Sequence, residues 1–279
     1  YYIRGVYMST YFESELGRLY HGDCMEHFGK ILNGSVDMVL CDLPYGITDC
    51  KWDIKIPLAP LWREWGRVVK ENGAVVLTAQ QPFATELIVS SGRMFKFRYE
   101  LIWEKAKALG FLNARKMPLR AHENILVFYR HLPTYIPQMT EGKPYKSKDN
   151  GKHTSLYAKY KTFASADNPG KRYPRSVLRF PQEGHTSHPT EKPQAMFEWL
   201  IRTYTLPGEV VLDNCMGSGT TAAACEATGR CWIGMEMSEE FCRMTKERVQ
   251  GLITERGDAD AEGTAAQGKD RSRAVQECT

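Results

Sequence analysis

Apolar positions along this chain change period repeatedly. VDMVLCD (36–42) is an almost unbroken apolar run of strand length, the pattern of a strand buried on both faces. Leu58, Leu61, Trp62, Trp65, Val68 and Val69 then recur at helical spacing, and Asn72-Gly73 is expected to stop that helix. AVVLT (74–78) predicts a second strand, FATELIVSS (83–91) a helix, RYELIW (98–103) a third strand and NILVFY (124–129) a fourth. Farther on, QAMFEWLIRTYT (194–205) predicts a helix, Pro207-Gly208 a turn and EVVLD (209–213) a short β-branched strand. A small-residue helix over 220–228, ended by Gly229, leads to strand CWIGME (231–236). Ser238 can cap a last helix whose first turn carries Glu239 and Glu240, as the helix dipole favours. Strands alternating with helices predict an α/β fold with a mostly parallel sheet and helices on both faces. From about 252 onward apolar periodicity is lost, and that tail is expected to be disordered.

Composition narrows this picture only slightly. A chain of 279 residues with 42% hydrophobic content can bury a full core, as one elaborated domain or two small ones. No apolar run approaches the roughly 20 residues that span a bilayer, and the opening YYIRGVYMSTYFES lacks a signal-peptide core, so a cytoplasmic, reducing compartment is expected. The eight cysteines form no CxxC pair and no zinc spacing, and His185 and His188 lack further ligands; free thiols and no metal are expected.

Charge says more when it is resolved along the chain. Residues 131–180 hold ten Lys/Arg against three acids, although the whole chain carries a net +4. Seven aromatics, among them Tyr145, Tyr157 and Tyr173, interleave with those cations. Such a segment fits a nucleic-acid surface, and it fits a solvated insert about equally well.

Two stretches carry chemistry. In EVVLDNCMGSGTTAAAC a strand ends at Asp213, Gly217 and Gly219 permit a tight turn, and Thr220 opens a helix close against the sheet. That arrangement binds nucleotide-like cofactors at the carboxyl ends of parallel strands, and Glu236, ending the next strand, stands where ribose hydroxyls are gripped. By itself it fits a nicotinamide dinucleotide as well as S-adenosylmethionine. The other stretch is CDLPYG (41–46), following the first strand. An exocyclic amine on a base is a poor nucleophile because its lone pair is delocalised, so methylating it requires acceptors for its hydrogens and a rigid hold on the ring. Asp42 offers a carboxylate, Leu43 a main-chain carbonyl, Pro44 a stiff turn and Tyr45 a ring to stack on the base.

With these motifs in hand, the chain resembles the amino-group DNA methyltransferases that make N6-methyladenine or N4-methylcytosine, in the permuted, beta-class order. The resemblance runs from about Leu19 to Val249. CDLPYG is similar to the D-P-P-Y element, LDNCMGSGTT to the glycine element and IGMEM to the segment with the ribose-binding acid, Glu236. It implies a Rossmann-like S-adenosylmethionine-dependent methyltransferase fold. It also implies that Asp23, in LYHGDCMEHF, lies near the cofactor adenine, and that Thr190 and Lys192, in HPTEKP, lie near its methionyl end. Catalytic residues are then Asp42, Leu43, Pro44 and Tyr45; cofactor residues are Asp23, Thr190, Lys192, Asp213, Cys215, Gly217, Gly219, Thr220 and Glu236. The segments expected are a catalytic half (12–130), a target-recognition insert (131–183), a cofactor half (184–251) and the tail (252–279).

On this reading the chain methylates the N6 amino group of adenine in double-stranded DNA, with Lys171, Arg172, Arg175 and Arg179 touching phosphates or guanines. A homodimer and a cognate restriction endonuclease are further candidate partners. A cytosine-N4 enzyme, an RNA or protein amino-methyltransferase and an inactive DNA-binding relic are the alternatives. Asp42, where the cytosine branch commonly has serine, favours adenine. Two departures stand out: Leu43 replaces the first proline of the usual element, and Cys215 stands where a phenylalanine usually packs by the cofactor. His122 and Glu123 resemble a segment at the edge of the base pocket, although a polar lead-in to a strand is the simpler reading. Trp62 and Trp65 read as core.

Overall fold

A computed structural model of the chain describes residues 10–46, 54–146, 167–181 and 191–256. The first part contributes β1 (Phe12–Glu13), β2 (Gly17–His21), α1 (Cys24–His27), β3 (Val36–Asp42), α2 (Leu58–Val68), β4 (Val69–Ala79), α3 (Phe83–Ser90), β5 (Lys96–Leu109) and β6 (Arg120–Tyr129). Four two-residue strands follow: β7 (Thr140–Glu141), β8 (Tyr145–Lys146), β9 (Asp167–Asn168) and β10 (Lys171–Arg172). The chain then runs through β11 (Val177–Arg179), α4 (Gln194–Tyr204), β12 (Val210–Asp213), α5 (Thr220–Thr228), β13 (Cys231–Glu236) and α6 (239–256).

Nine strands form one sheet in the order β1-β2-β13-β12-β3-β4-β6-β5-β11. Only β1 and β6 run against the others. Alternation along the central strands divides the core. Met38 and Leu40 of β3, with Val76 of β4 and Val211 of β12, pack under α4 and α5. Val39 and Cys41, with Val75 and Leu77, pack under α2 and α3. Burial on both faces is why β3 reads as a continuous apolar run. On the second face Trp62 and Trp65 meet edge to face at 4.9 Å, and Trp62 meets Phe128 at 5.2 Å. Such ring pairs contribute about 1 kcal/mol each beyond the area they bury.

The helix predicted to stop at Asn72-Gly73 ends earlier. Val69 leaves α2 in extended conformation and at once pairs with Val36, while Met38 pairs with Ala74. β4 therefore bulges over Lys70–Gly73. A side chain at Gly73 would meet Val69 Cγ1 at 2.5 Å and Asp37 O at 2.9 Å, so this glycine serves the bulge and not a helix end. Strands β1 and β2 were not anticipated, because GRLYH holds too few apolar residues to announce itself. Within the predicted 131–183 insert, Val177–Arg179 joins the main sheet parallel to β5, so that segment is in part a sheet element. Ser238 Oγ accepts from Phe241 N and caps α6, which stays helical through 256, past the predicted start of the tail. No helix among the described residues is long and apolar enough to cross a membrane.

Candidate active site

β3 and β12 lie side by side and parallel at the centre of the sheet, with Met38 opposite Val211 and Val39 opposite Leu212. From β3 the chain passes through α2 to β4 on one side; from β12 it passes through α5 to β13 on the other. The crossovers diverge, which leaves a crevice at the carboxyl ends of the two strands. Each strand ends in an acid there, Asp42 and Asp213. A pocket of about 620 Å³ occupies the crevice, and its lining includes Asp42, Tyr45, Glu123, Lys192, Asp213 and Glu236.

Asp42 is the hub of one corner. Its Oδ1 accepts from the Tyr45 hydroxyl (2.8 Å) and from Thr78 Oγ1, and its Oδ2 accepts from Lys192 Nζ (2.5 Å). The Tyr45 hydroxyl also contacts Glu123 Oε1 (2.8 Å), and Lys192 lies 3.2 Å from the same oxygen. Lys105 closes the chain with an ion pair to Glu123 Oε2 at 2.7 Å. Burial raises the Glu123 pKa, but Lys192, Lys105 and the hydrogen bonds it accepts outweigh burial and bring it to about 2. Burial lowers the Lys192 pKa, and Asp42 and Glu123 overcome that to raise it. Tyr45, its ring tilted on Phe83 at 5.4 Å, has its hydroxyl pKa pushed well up by burial and the two carboxylates, so it stays a donor.

The opposite corner is built on the turn after β12. Trp65 Nε1 donates to Asn214 Oδ1 at 3.1 Å, tying that turn to α2. Gly219 begins α5 at φ +86°, where a Cβ would meet Thr245 Cα of α6 at 2.9 Å; only glycine lets the two helices approach so closely. Glu236 Oε2 accepts from Gly217 N and Oε1 from Ser238 N, both at 2.8 Å. The carboxylate lines the pocket and keeps acceptor capacity for a ligand hydroxyl. Burial raises the Glu236 pKa against these backbone donors. Cys215 lines the pocket beside Cys41, and Asp23 lines it while capping α1 by accepting from Met25 N.

Asp213 accepts from Cys215 N (3.0 Å) and Thr221 Oγ1 (2.5 Å), yet burial, the largest influence, pushes its pKa up from 3.8 to about 6. The folded state thus holds this proton more tightly than the unfolded chain, and stability falls as pH rises from about 4 through about 6. At most about 3 kcal/mol is involved, from a shift of roughly two units. Asp213→Asn keeps an acceptor for Cys215 N without the buried charge. Thermal melts should show the variant gaining on the parent above pH 7 and the gain vanishing below pH 4; a variant less stable at pH 8 refutes the assignment.

The structure gathers most of the predicted residues around one pocket: Asp42, Leu43, Pro44, Tyr45, Asp23, Lys192, Asp213, Cys215, Gly217, Thr220 and Glu236 all line it. Thr190 lies outside the described residues. Lys192 reaches the Asp42 corner, where it bridges two carboxylates. None of the four predicted DNA contacts lines the pocket. Arg172 is occupied within the insert, donating to Asn168 Oδ1 and Lys143 O and lying over the Tyr145 ring. Arg179 pairs with Glu104 at 2.8 Å, while Lys171 and Arg175 are exposed. Sequence reasoning passed over Glu123, taken as a polar strand lead-in, and also Thr78 and Lys105. Each sits at the pocket end of a predicted strand, and Glu123 carried the further signal of its resemblance to a base-pocket segment.

The chain is similar to known proteins over most of its length. An N6/N4 methyltransferase family model, described as DNA methylase, matches residues 36–247. DNA adenine methyltransferase YhdJ of Escherichia coli (strain K12) is 27% identical over 260 residues, covering 86% of this chain and 85% of that protein. Among solved structures, the cytosine-N4-specific PvuII DNA methyltransferase superposes with a TM-score of 0.61 at 16% identity, covering 88% of this chain and 94% of that one. The complex of M1.HpyAVI with S-adenosylmethionine gives a TM-score of 0.56 at 20% identity, covering 84% and 98%.

Proposed function

We propose that this chain, which belongs to the amino-group DNA methylase family, methylates the N6 amino group of adenine in double-stranded DNA with S-adenosylmethionine as donor. The observation that carries this reading is a single pocket lined by both the Asp42 and the Glu236 corners. Its volume, about 620 Å³, lies in the range of small-molecule sites.

The residues present fit the donor. Glu236 lines the pocket with acceptor capacity left for a ribose hydroxyl, and the glycine turn lies beside it. The relative solved with S-adenosylmethionine has the same fold. Bound there, the donor supplies a methyl group on a positively charged sulfur.

Residues of this chain prepare the acceptor amine. Two of the four lone-pair sites of Asp42 go to Tyr45 and Thr78 on Oδ1 and one to Lys192 on Oδ2, so one site remains, on Oδ2. That site and the Leu43 carbonyl accept the two amino hydrogens and localise the nitrogen lone pair. As the N–C bond forms and the S–C bond breaks, the amine gives up one proton to Asp42, which passes it to solvent. The neutral methylamine and S-adenosylhomocysteine remain. Lys192 keeps the hub polarised, and Tyr45, tethered by its hydroxyl, offers its ring to the base. Pro44 stiffens the turn. No covalent enzyme intermediate arises. A hydrogen bond from Cys41 lowers the Cys215 pKa, but burial and the carboxylates of Asp213, Glu236 and Asp42 together outweigh it and raise the pKa, which makes this thiol a poor nucleophile.

Asp42 in place of serine, and the adenine enzyme YhdJ among the relatives, favour adenine. The fold shared with the cytosine-N4 enzyme makes N4 methylation the second reading. Labelled methyl transfer to unmethylated duplex DNA, followed by nucleoside digestion, separates them: N6-methyladenine is expected, and N4-methylcytosine overturns the adenine assignment. In the same assay Glu236→Ala should weaken S-adenosylmethionine binding by about 10- to 100-fold, because two backbone N–H groups lose their acceptor along with the ligand hydroxyls. Unchanged affinity would remove Glu236 from the donor site.

A further inference from the structure

The hairpin of β5 and β6 carries a surface that the pocket does not explain. Glu104 pairs with His122, after which the strands part and meet again only at Leu109 and Arg120. Residues 106–122 are all exposed, and Gly110 turns the chain into a short 3-10 helix, Phe111–Asn113. Phe111 is 81% exposed and Leu112 98%, with Leu109, Met117 and Leu119 also in solvent. Single exposed apolar residues are ordinary; five on one arm form a patch.

Charge identifies what that patch meets. Between Glu104 and Glu123 there are five Lys/Arg and no acid. Among the described residues, the side chains of Lys107, Arg115 and Lys116 have no ion-pair partner. A second copy of the same arm would bring like charges together, whereas a polyanion complements them. The root of the arm lies in the pocket, where Leu109 and Arg120 are part of the lining and Arg120 donates to Gln80 Oε1.

We propose that this arm is a wedge that enters duplex DNA beside the target base. Phe111 and Leu112 fill the gap in the stack when the base turns into the pocket, and Lys107, Arg115 and Lys116 hold the flanking phosphates. The inference rests on the amino-methylation reading, because only a base that must leave a duplex needs its place filled.

Phe111→Ser/Leu112→Ser changes two solvent-exposed side chains outside the pocket, so folding and S-adenosylmethionine affinity should be unaltered. Its kcat/KM on an intact duplex carrying the unmethylated target site should fall by at least about tenfold, since unstacking is worth a few kcal/mol. On the same duplex with an abasic site opposite the target base, where the base is already unpaired, the fall should be under about threefold. A companion variant, Lys107→Gln/Arg115→Gln/Lys116→Gln, should flatten the salt dependence of DNA binding by roughly two to three in log–log slope. Equal losses on both duplexes, no loss on either, or conversion of a dimer to a monomer without selective loss on the intact duplex would overturn the wedge. A parent that methylates neither duplex overturns the amino-methylation reading itself, and the wedge with it.

Discussion

Asp42→Ala is expected to lower kcat for methyl transfer by about 10²- to 10³-fold, the usual loss on removing a preorganised group that stabilises developing charge. Donor binding should be nearly unchanged, because Glu236 and the glycine turn lie at the other end of the pocket. Asp42→Asn sharpens the test. The amide keeps the volume but replaces one oxygen by a donor, which would face either Lys192 Nζ or the Thr78 and Tyr45 hydroxyls. Turned toward Lys192, it removes the one free acceptor site; turned the other way, it opposes two donors that can rotate only in part. Both variants should therefore be nearly inactive while binding S-adenosylmethionine with parental affinity. More than a tenth of parental kcat in Asp42→Ala would remove Asp42 from the reaction. Loss of donor binding in both would reassign it to holding the pocket open.

The second large effect concerns stability. Lys192 is 8% exposed and lies between two carboxylates, one of which, Glu123, is 2% exposed. Lys192→Met leaves Asp42 without its cation and Glu123 with Lys105 alone. Removing one member of a buried ion pair costs about 3–5 kcal/mol, since the remaining charge stays desolvated. The pH dependence has a definite sign. In the parent, Glu123 lies at about 2, below its usual 4.5, so its contribution is fully present above about 4.5 and is lost as pH falls toward 2. In the variant that depression is relieved, Glu123 protonates more readily, and acid removes its uncompensated charge. Urea or thermal unfolding should show the parent-to-variant gap at its widest near pH 8 and narrowing toward pH 4. A gap below about 1 kcal/mol at pH 8, or one that does not change with pH, would show that Lys192 contributes little to the fold.

Much of the architecture was legible because its signals are local. CWIGME and the helix after the glycine turn lie where periodicity placed them, since a strand buried on both faces and a small-residue helix each write their pattern into consecutive residues. The same local logic failed at Asn72-Gly73. That pair has the composition of a helix stop, and only pairing with β3 turns it into a bulge. β11 was hidden for a related reason, as three residues inside a basic, irregular segment become a strand only when β5 is there to receive them.

The functional site divides along the same line. Sequence alone determined the α/β alternation, the acid at the end of each central strand, the glycine turn and the ordered set of motifs that marks amino-group methylation. These depend on neighbours within a turn or a strand, where side-chain order dictates backbone geometry. Tertiary structure decided which groups share charge. Asp42 meets Lys192 across 150 positions, and Tyr45 meets Glu123 across 78. It also decided that Glu123, by its sequence a mere lead-in to a strand, is a buried ionised partner of the Asp42 corner, and that Arg172 braces the insert instead of standing free. Such pairings follow from how the strands are ordered in the sheet. A charge is worth little in water and a great deal when burial removes the water around it, and burial is a property of the assembled sheet and helices that no short stretch of sequence contains.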